Sequence, residues 1–283
     1  MIWDRISQNK GDDSEGGNSI AVHRDYFETL RKPAVLWEKS HEKRFSKIGG
    51  VPDTPKDFKW PIWKEQPLSF LCQIDLGAIP RDFPRLDFER SGYLYFFYDR
   101  EQSTWGYDPK HRGSWQVLYY PGPAEVKLSA VPAGQDEAFI YPEKNISSST
   151  IYTYPHWQDD RIFNLIPEDE QIDAYNDLCE SVFGEKPKHH LFGYPWCEQG
   201  NLMDLECQLV THGIYLGDGE GYQSKEAKKL EKGREEWILL LQLDSDDDTD
   251  MMWGDLGKLY FWIRREDLKA MRFDEVWMIL QCG

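Results

Sequence analysis

Three short blocks recur in the same order in the two halves of this 283-residue chain, and no other feature limits the fold as strongly. LCQID at residues 71–75 is matched by LLQLD at 240–244, GYLYFF at 92–97 by GKLYFW at 257–262, and the loop GGVP at 49–52 by FGYP at 192–195. The first two pairs are apolar or aromatic runs of strand length, bordered by the Gly and Asp of turns. A repeated unit that cannot bury its apolar face alone packs against its copy. The pattern therefore predicts a β-rich α+β fold, in which two pseudo-repeated antiparallel β halves pack into one compact domain with a few peripheral helices. The first repeat falls at about residues 48–120 and the second at about 191–283, within a single domain of residues 20–283.

The longest hairpin is expected over residues 237–263, where two apolar runs flank an acidic loop and a Trp-Gly-Asp turn. Other strands are expected at 68–76, 92–98, 115–120, 138–141, 150–154 and 275–281, with an extended segment at 34–37. The clearest helix is 168–183: Ile172, Tyr175, Leu178, Cys179 and Val182 share one face, Pro167 precedes it and Gly184 follows it. A lysine-rich surface helix is expected over 220–233, a short one over 265–271, and another capped by Asp25 and running to Leu30. Residues 1–19 are polar and lack periodicity, which predicts a flexible segment.

Fifty acidic residues against 33 basic ones give a net charge of −17, which repels phosphate backbones and anionic membranes and attracts a basic protein. No apolar stretch suits a signal peptide or a membrane span, so a cytoplasmic protein is expected. Five cysteines without C-x-x-C spacing (Cys72, Cys179, Cys197, Cys207 and Cys282) fit reduced thiols used in packing.

No catalytic signature stands out, and no cofactor is implied. The densest group of candidate binding residues is Asp244, Asp246, Asp248, Trp253 and Asp255, with Asp75 at the position equivalent to Asp244. Asp244, Asp246, Asp248, Asp250 and Asp255 occupy positions 1, 3, 5, 7 and 12 of a calcium loop, but Thr249 replaces the turn glycine and Asp255 the bidentate Glu. Calcium or magnesium is thus the weaker reading and a solvated acidic loop the stronger one. Gln73 and Gln242 are also equivalent, and a bond between them across the pseudo-axis is one expectation. His189, His190, Cys197, Cys207 and His212 offer zinc-type ligands at spacings that match no compact finger. Trp60, Trp63, Trp105, Trp115 and Trp157 are candidates for an aromatic groove.

Six motifs, IGGVP, LSFLCQIDL, GYLYFF, LFGYP, LLLQLDSD and WGDLGKLYFWI, appear in an order that resembles the YwqG-like proteins, a bacterial group of unknown function. The resemblance covers about residues 48–282 and implies a β-rich fold with an internal duplication, without an established reaction. Some relatives are encoded beside polymorphic toxins, which implies an immunity or adaptor role. Charge and resemblance together predict a non-enzymatic protein-interaction module, with an immunity protein for a basic toxin as its sharpest version. The alternative is an enzyme or ligand-binding protein using an acidic cleft between the repeats.

Overall fold

Antiparallel pairing runs unbroken through ten strands in the computed structural model, which describes residues 3, 20–84, 88–122, 127–132, 134–184 and 187–283. Residues 1–2 and 4–19, where flexibility is expected, lie outside the described residues. In chain order the strands are β1 (Lys32–Ser40), β2 (Lys47–Ile48), β3 (Ser69–Asp75), β4 (Tyr93–Tyr98), β5 (Trp115–Tyr120), β6 (Lys144–Thr153), β7 (His190–Phe192), β8 (Trp237–Asp244), β9 (Lys258–Arg264) and β10 (Trp277–Gln281). Their order in the sheet is β10-β9-β8-β7-β1-β6-β2-β3-β4-β5. The expected hairpin is β8 and β9, in register from Trp237 opposite Arg264 to Asp244 opposite Lys258.

The central pair β1 and β6 divides the sheet into matching halves. On each side a very short strand leads to a long hairpin and then an outer strand. The match extends to irregularities, since β3 shifts register between Phe70 and Cys72 and β8 between Leu239 and Leu241. It extends to side chains as well. Gln73 accepts from the Asp53 amide at 2.7 Å and donates to the Phe45 carbonyl at 2.7 Å. Gln242 accepts from the Trp196 amide at 2.8 Å and donates to the Lys188 carbonyl at 2.8 Å. The tyrosine hydroxyls of Tyr95 and Tyr260 donate to the carbonyls of Asp53 and Trp196. The two glutamines therefore do not bond across the pseudo-axis. Each pins the loop of its own half, because the amide and carbonyl that it satisfies lie nearer in the chain. The halves meet instead through packing, with Phe96 and Phe261 edge to face at 5.1 Å.

Strong curling brings the outer strands together into a near-barrel. The Leu280 amide donates to the Trp105 carbonyl at 3.1 Å, and the indole of Trp115 donates to the Val276 carbonyl at 3.0 Å. Gly106 makes this approach possible: its φ is +88°, and a Cβ there would sit 2.0 Å from the Met278 carbonyl oxygen.

Six helices among the described residues cover the sheet: α1 (Arg24–Leu30), α2 (Asp160–Phe163), α3 (Asp169–Ser181), α4 (Met203–Thr211), α5 (Lys225–Leu230) and α6 (Arg265–Lys269). In α3, Glu168 and Gln171 form a capping box, and the buried Tyr175, Leu178 and Cys179 join Phe27, Tyr154 and Ile162 in a second apolar cluster. None of the six is long and apolar enough to cross a membrane.

Several expectations needed correction. Residues 138–141 form no strand; the Asp136 side chain accepts from the Ala138 amide and winds Glu137–Phe139 into a 3₁₀ turn. The 220–233 helix is broken because Ser224 caps α5, leaving 3₁₀ turns on both sides. Asp25 lies in the first turn of α1 rather than at its cap.

Candidate functional site

The acidic loop closes onto lysines. Lys39, on central strand β1, places its ammonium 2.7 Å from Asp246 and 2.6 Å from Asp248. Burial alone would push the Asp246 carboxyl up; hydrogen bonds from His189 and Lys39 outweigh it and hold the group at about 2. Asp244 accepts from the Lys188 amide at 2.8 Å and pairs with Lys258 at 3.0 Å. The Asp244 amide in turn donates to His189 Nδ1, so that ring presents Nε2–H to Asp246 at 3.4 Å. Three carboxylates of the proposed cation loop are thus ion-paired. Asp250 and Asp255 are exposed, and Trp253 is fully buried with its indole on the Asp244 carbonyl. Asp75 stays in its own half, where it accepts from the Gly77 amide at 2.8 Å and caps a 3₁₀ turn.

The other metal candidates are dispersed, and no group of three or more His, Cys, Asp or Glu suited to a metal occurs among the described residues. His190 is buried between the Lys188 and Tyr194 carbonyls, and burial lowers its pKa to about 4. Among the tryptophans proposed for a groove, Trp115 is core, Trp105 is exposed and Trp60, Trp63 and Trp157 are half-buried.

A different site emerges where one end of four neighbouring strands converges. The start of β1, the end of β7, the start of β8 and the end of β9 lie side by side because successive strands are antiparallel. They surround a cavity of about 390 Å³ lined by Lys32, Arg161, Arg234 and Arg265, with Asp159 and Asp204 as the acidic groups. Four cations around one cavity stand against the net charge of −17. The two carboxylates are already occupied: Asp159 grips Arg161 at 2.8 and 2.6 Å, and Asp204 grips Arg234 at 3.1 and 2.7 Å. These forked pairs fix two guanidinium planes at the cavity wall. The Lys32 ammonium lies 4.0 Å from the Tyr194 ring centroid; the residue is exposed, and partial desolvation of its amine among the cavity walls, reinforced by Arg265 and Arg161, lowers its pKa to about 8.

Phe83, Phe192 and Trp262 supply an apolar side. Trp262 is buried, and its indole N–H finds no acceptor among the described residues. Residues 194–197 separate this cavity from a second of about 360 Å³, lined by Trp157, Phe183 and Trp196. That dividing segment is the loop pinned by Gln242. Beneath the Asp204–Arg234 pair, Glu206 of α4 is buried; it accepts from the Tyr222 hydroxyl at 2.8 Å, while its second oxygen has no partner among the described residues. Burial pushes its carboxyl up to about 7, with Asp204 adding to the effect.

Sequence reasoning missed this site. Lys32, Arg161, Arg234 and Arg265 come from four distant places, and only the FGYP loop beside them carried a signal, as the partner of GGVP.

A family model described as "Domain of unknown function (DUF1963)" matches residues 46–282. No curated protein matches the chain.

Proposed function

The chain belongs to the DUF1963 family, a domain of unknown function, and on that footing we propose that it binds a small organic anion in the cavity at the Lys32 end of its second half. The observation carrying this reading is the concentration of four cations, two of them rigidly clamped, around a cavity in a strongly acidic chain. The aromatic side of the cavity favours an anion with an apolar body over a bare inorganic ion. Arg265 has no carboxylate partner among the described residues, so it is the group assigned to the ligand's charge. In a thermal-shift and calorimetric panel of acetate, pyruvate, benzoate, citrate and inorganic phosphate, at least one carboxylate should bind saturably. Arg265→Ala should weaken that binding about tenfold or more, the loss of one charge-assisted contact. Absence of saturable binding across the panel, or binding unchanged in Arg265→Ala, would sink the reading.

A second reading rests on the charge itself. The six motifs support placing the chain with the YwqG-like proteins, and the excess of acidic residues supports a protein-interaction module, an immunity protein for a basic toxin being its sharpest form. The tagged protein, captured from its host at low and high salt, should then retain one stoichiometric basic protein that salt weakens. Recovery of the protein alone at both salt concentrations counts against it.

A further inference from the structure

Lys32 differs from the other well-placed lysines of the chain. Lys39, Lys47, Lys188 and Lys258 each have a carboxylate within 3.0 Å, whereas Lys32 has none within ion-pair distance among the described residues. Its ammonium stands over the Tyr194 ring in the cavity, facing the like charges of Arg161 and Arg265, while the nearest acids, Asp159 and Asp204, are committed to Arg161 and Arg234. Lys32 is an exposed residue of the cavity lining, so a ligand can reach its amine, and an amine beside like charges loses its proton more readily than an isolated one and becomes the better nucleophile.

We propose that the Lys32 amine is carbonyl-reactive: Nζ condenses with the ketone or aldehyde of a carboxylate-bearing ligand, a 2-oxo acid being the simplest, to form an imine. The Nζ lone pair attacks the carbonyl carbon to give a carbinolamine. Loss of the carbonyl oxygen with the two amine hydrogens, as one water molecule, leaves the C=N bond. No oxidant or reductant is needed. The proposal rests on the anion-binding reading, with Arg265 holding the carboxylate and the unsatisfied Trp262 N–H available to one of its oxygens.

The test uses the whole protein with pyruvate and cyanoborohydride, which traps an imine as a stable secondary amine, followed by peptide mapping. At pH 7.5 the lowered pKa gives Lys32 a neutral fraction about tenfold or more above that of an ordinary lysine, so the adduct should concentrate on Lys32. Lactate, which has no carbonyl, should suppress it by competition, and Lys32→Arg should abolish it. Labelling spread evenly over the lysines would overturn the proposal. Thermal shifts measured in parallel separate the two ideas: saturable carboxylate binding without a Lys32 adduct removes the imine and leaves the anion site, whereas failure of every carboxylate to bind removes both.

Discussion

Gln242→Leu is expected to cost about 2–5 kcal/mol of stability, the price of leaving two part-buried backbone groups without their partner. Gln242 is fully buried, and its amide satisfies the Trp196 N–H and the Lys188 carbonyl at once. Leucine fills the volume but offers neither bond. Gln73→Leu removes the equivalent pair of bonds, to Asp53 and Phe45, so it should lose a comparable amount. The two glutamines share no partner, and the double variant should lose about the sum. Chemical denaturation of the four proteins measures this. A loss under about 1 kcal/mol in either single variant would show that the loops find other partners. The variants differ in one respect: the Gln242 loop separates the two cavities, so Gln242→Leu should also weaken anion binding while Gln73→Leu leaves it intact.

Glu206→Gln should stabilise the protein above about pH 4.5, increasingly so up to about pH 7. The carboxyl titrates near 7 in the folded chain against an ordinary 4.5, so the folded state binds its proton more tightly than the unfolded state does. Stability therefore falls as pH rises from about 4.5 to about 7 and levels off above, with a loss on the order of 3 kcal/mol. Glutamine retains an acceptor for Tyr222 and carries no charge to desolvate. Wild type and variant should match near pH 4.5 and separate progressively until about pH 8, read as denaturation midpoints across that range. A difference independent of pH would place the effect in packing rather than in the charge.

The sheet was legible because its strands carry aromatic and aliphatic runs twice over, as in GYLYFF and GKLYFW. The elements that escaped have specific reasons. In β6, KNISSSTIYT, the end was expected as the strand at 150–154, but the middle is serine, half-buried between sheet and solvent, and its polarity hides the first part of a ten-residue strand at the centre of the fold. Helix α4 buries Met203, Glu206, Cys207, Gln208, Leu209 and Val210, so it lacks the polar face that marks a surface helix. The acidic loop drew attention by its density of carboxylates, yet density says nothing of partners: Lys39 is remote in sequence and reaches it only after the sheet has formed, while Lys258 is set opposite Asp244 by the register of the β8–β9 hairpin. The cationic cavity was illegible for the same reason in reverse, its four cations being unremarkable until the folded sheet brings Lys32 of β1 together with the helices and turn that carry the three arginines.

The near-closure of the sheet has a consequence for biosynthesis. A nascent chain that has just completed β6 can pair six strands, with β1 exposed on one rim and β5 on the other, and both rims are templates for another chain. The carbonyls of Trp105 and Gly106 wait for Leu280 and Trp277, which are synthesised some 170 residues later. The closing contacts therefore act as a completion check. A chain that stops short of β10 presents open rims to chaperones and proteases, while one that reaches it covers the edge on which mis-assembly would begin.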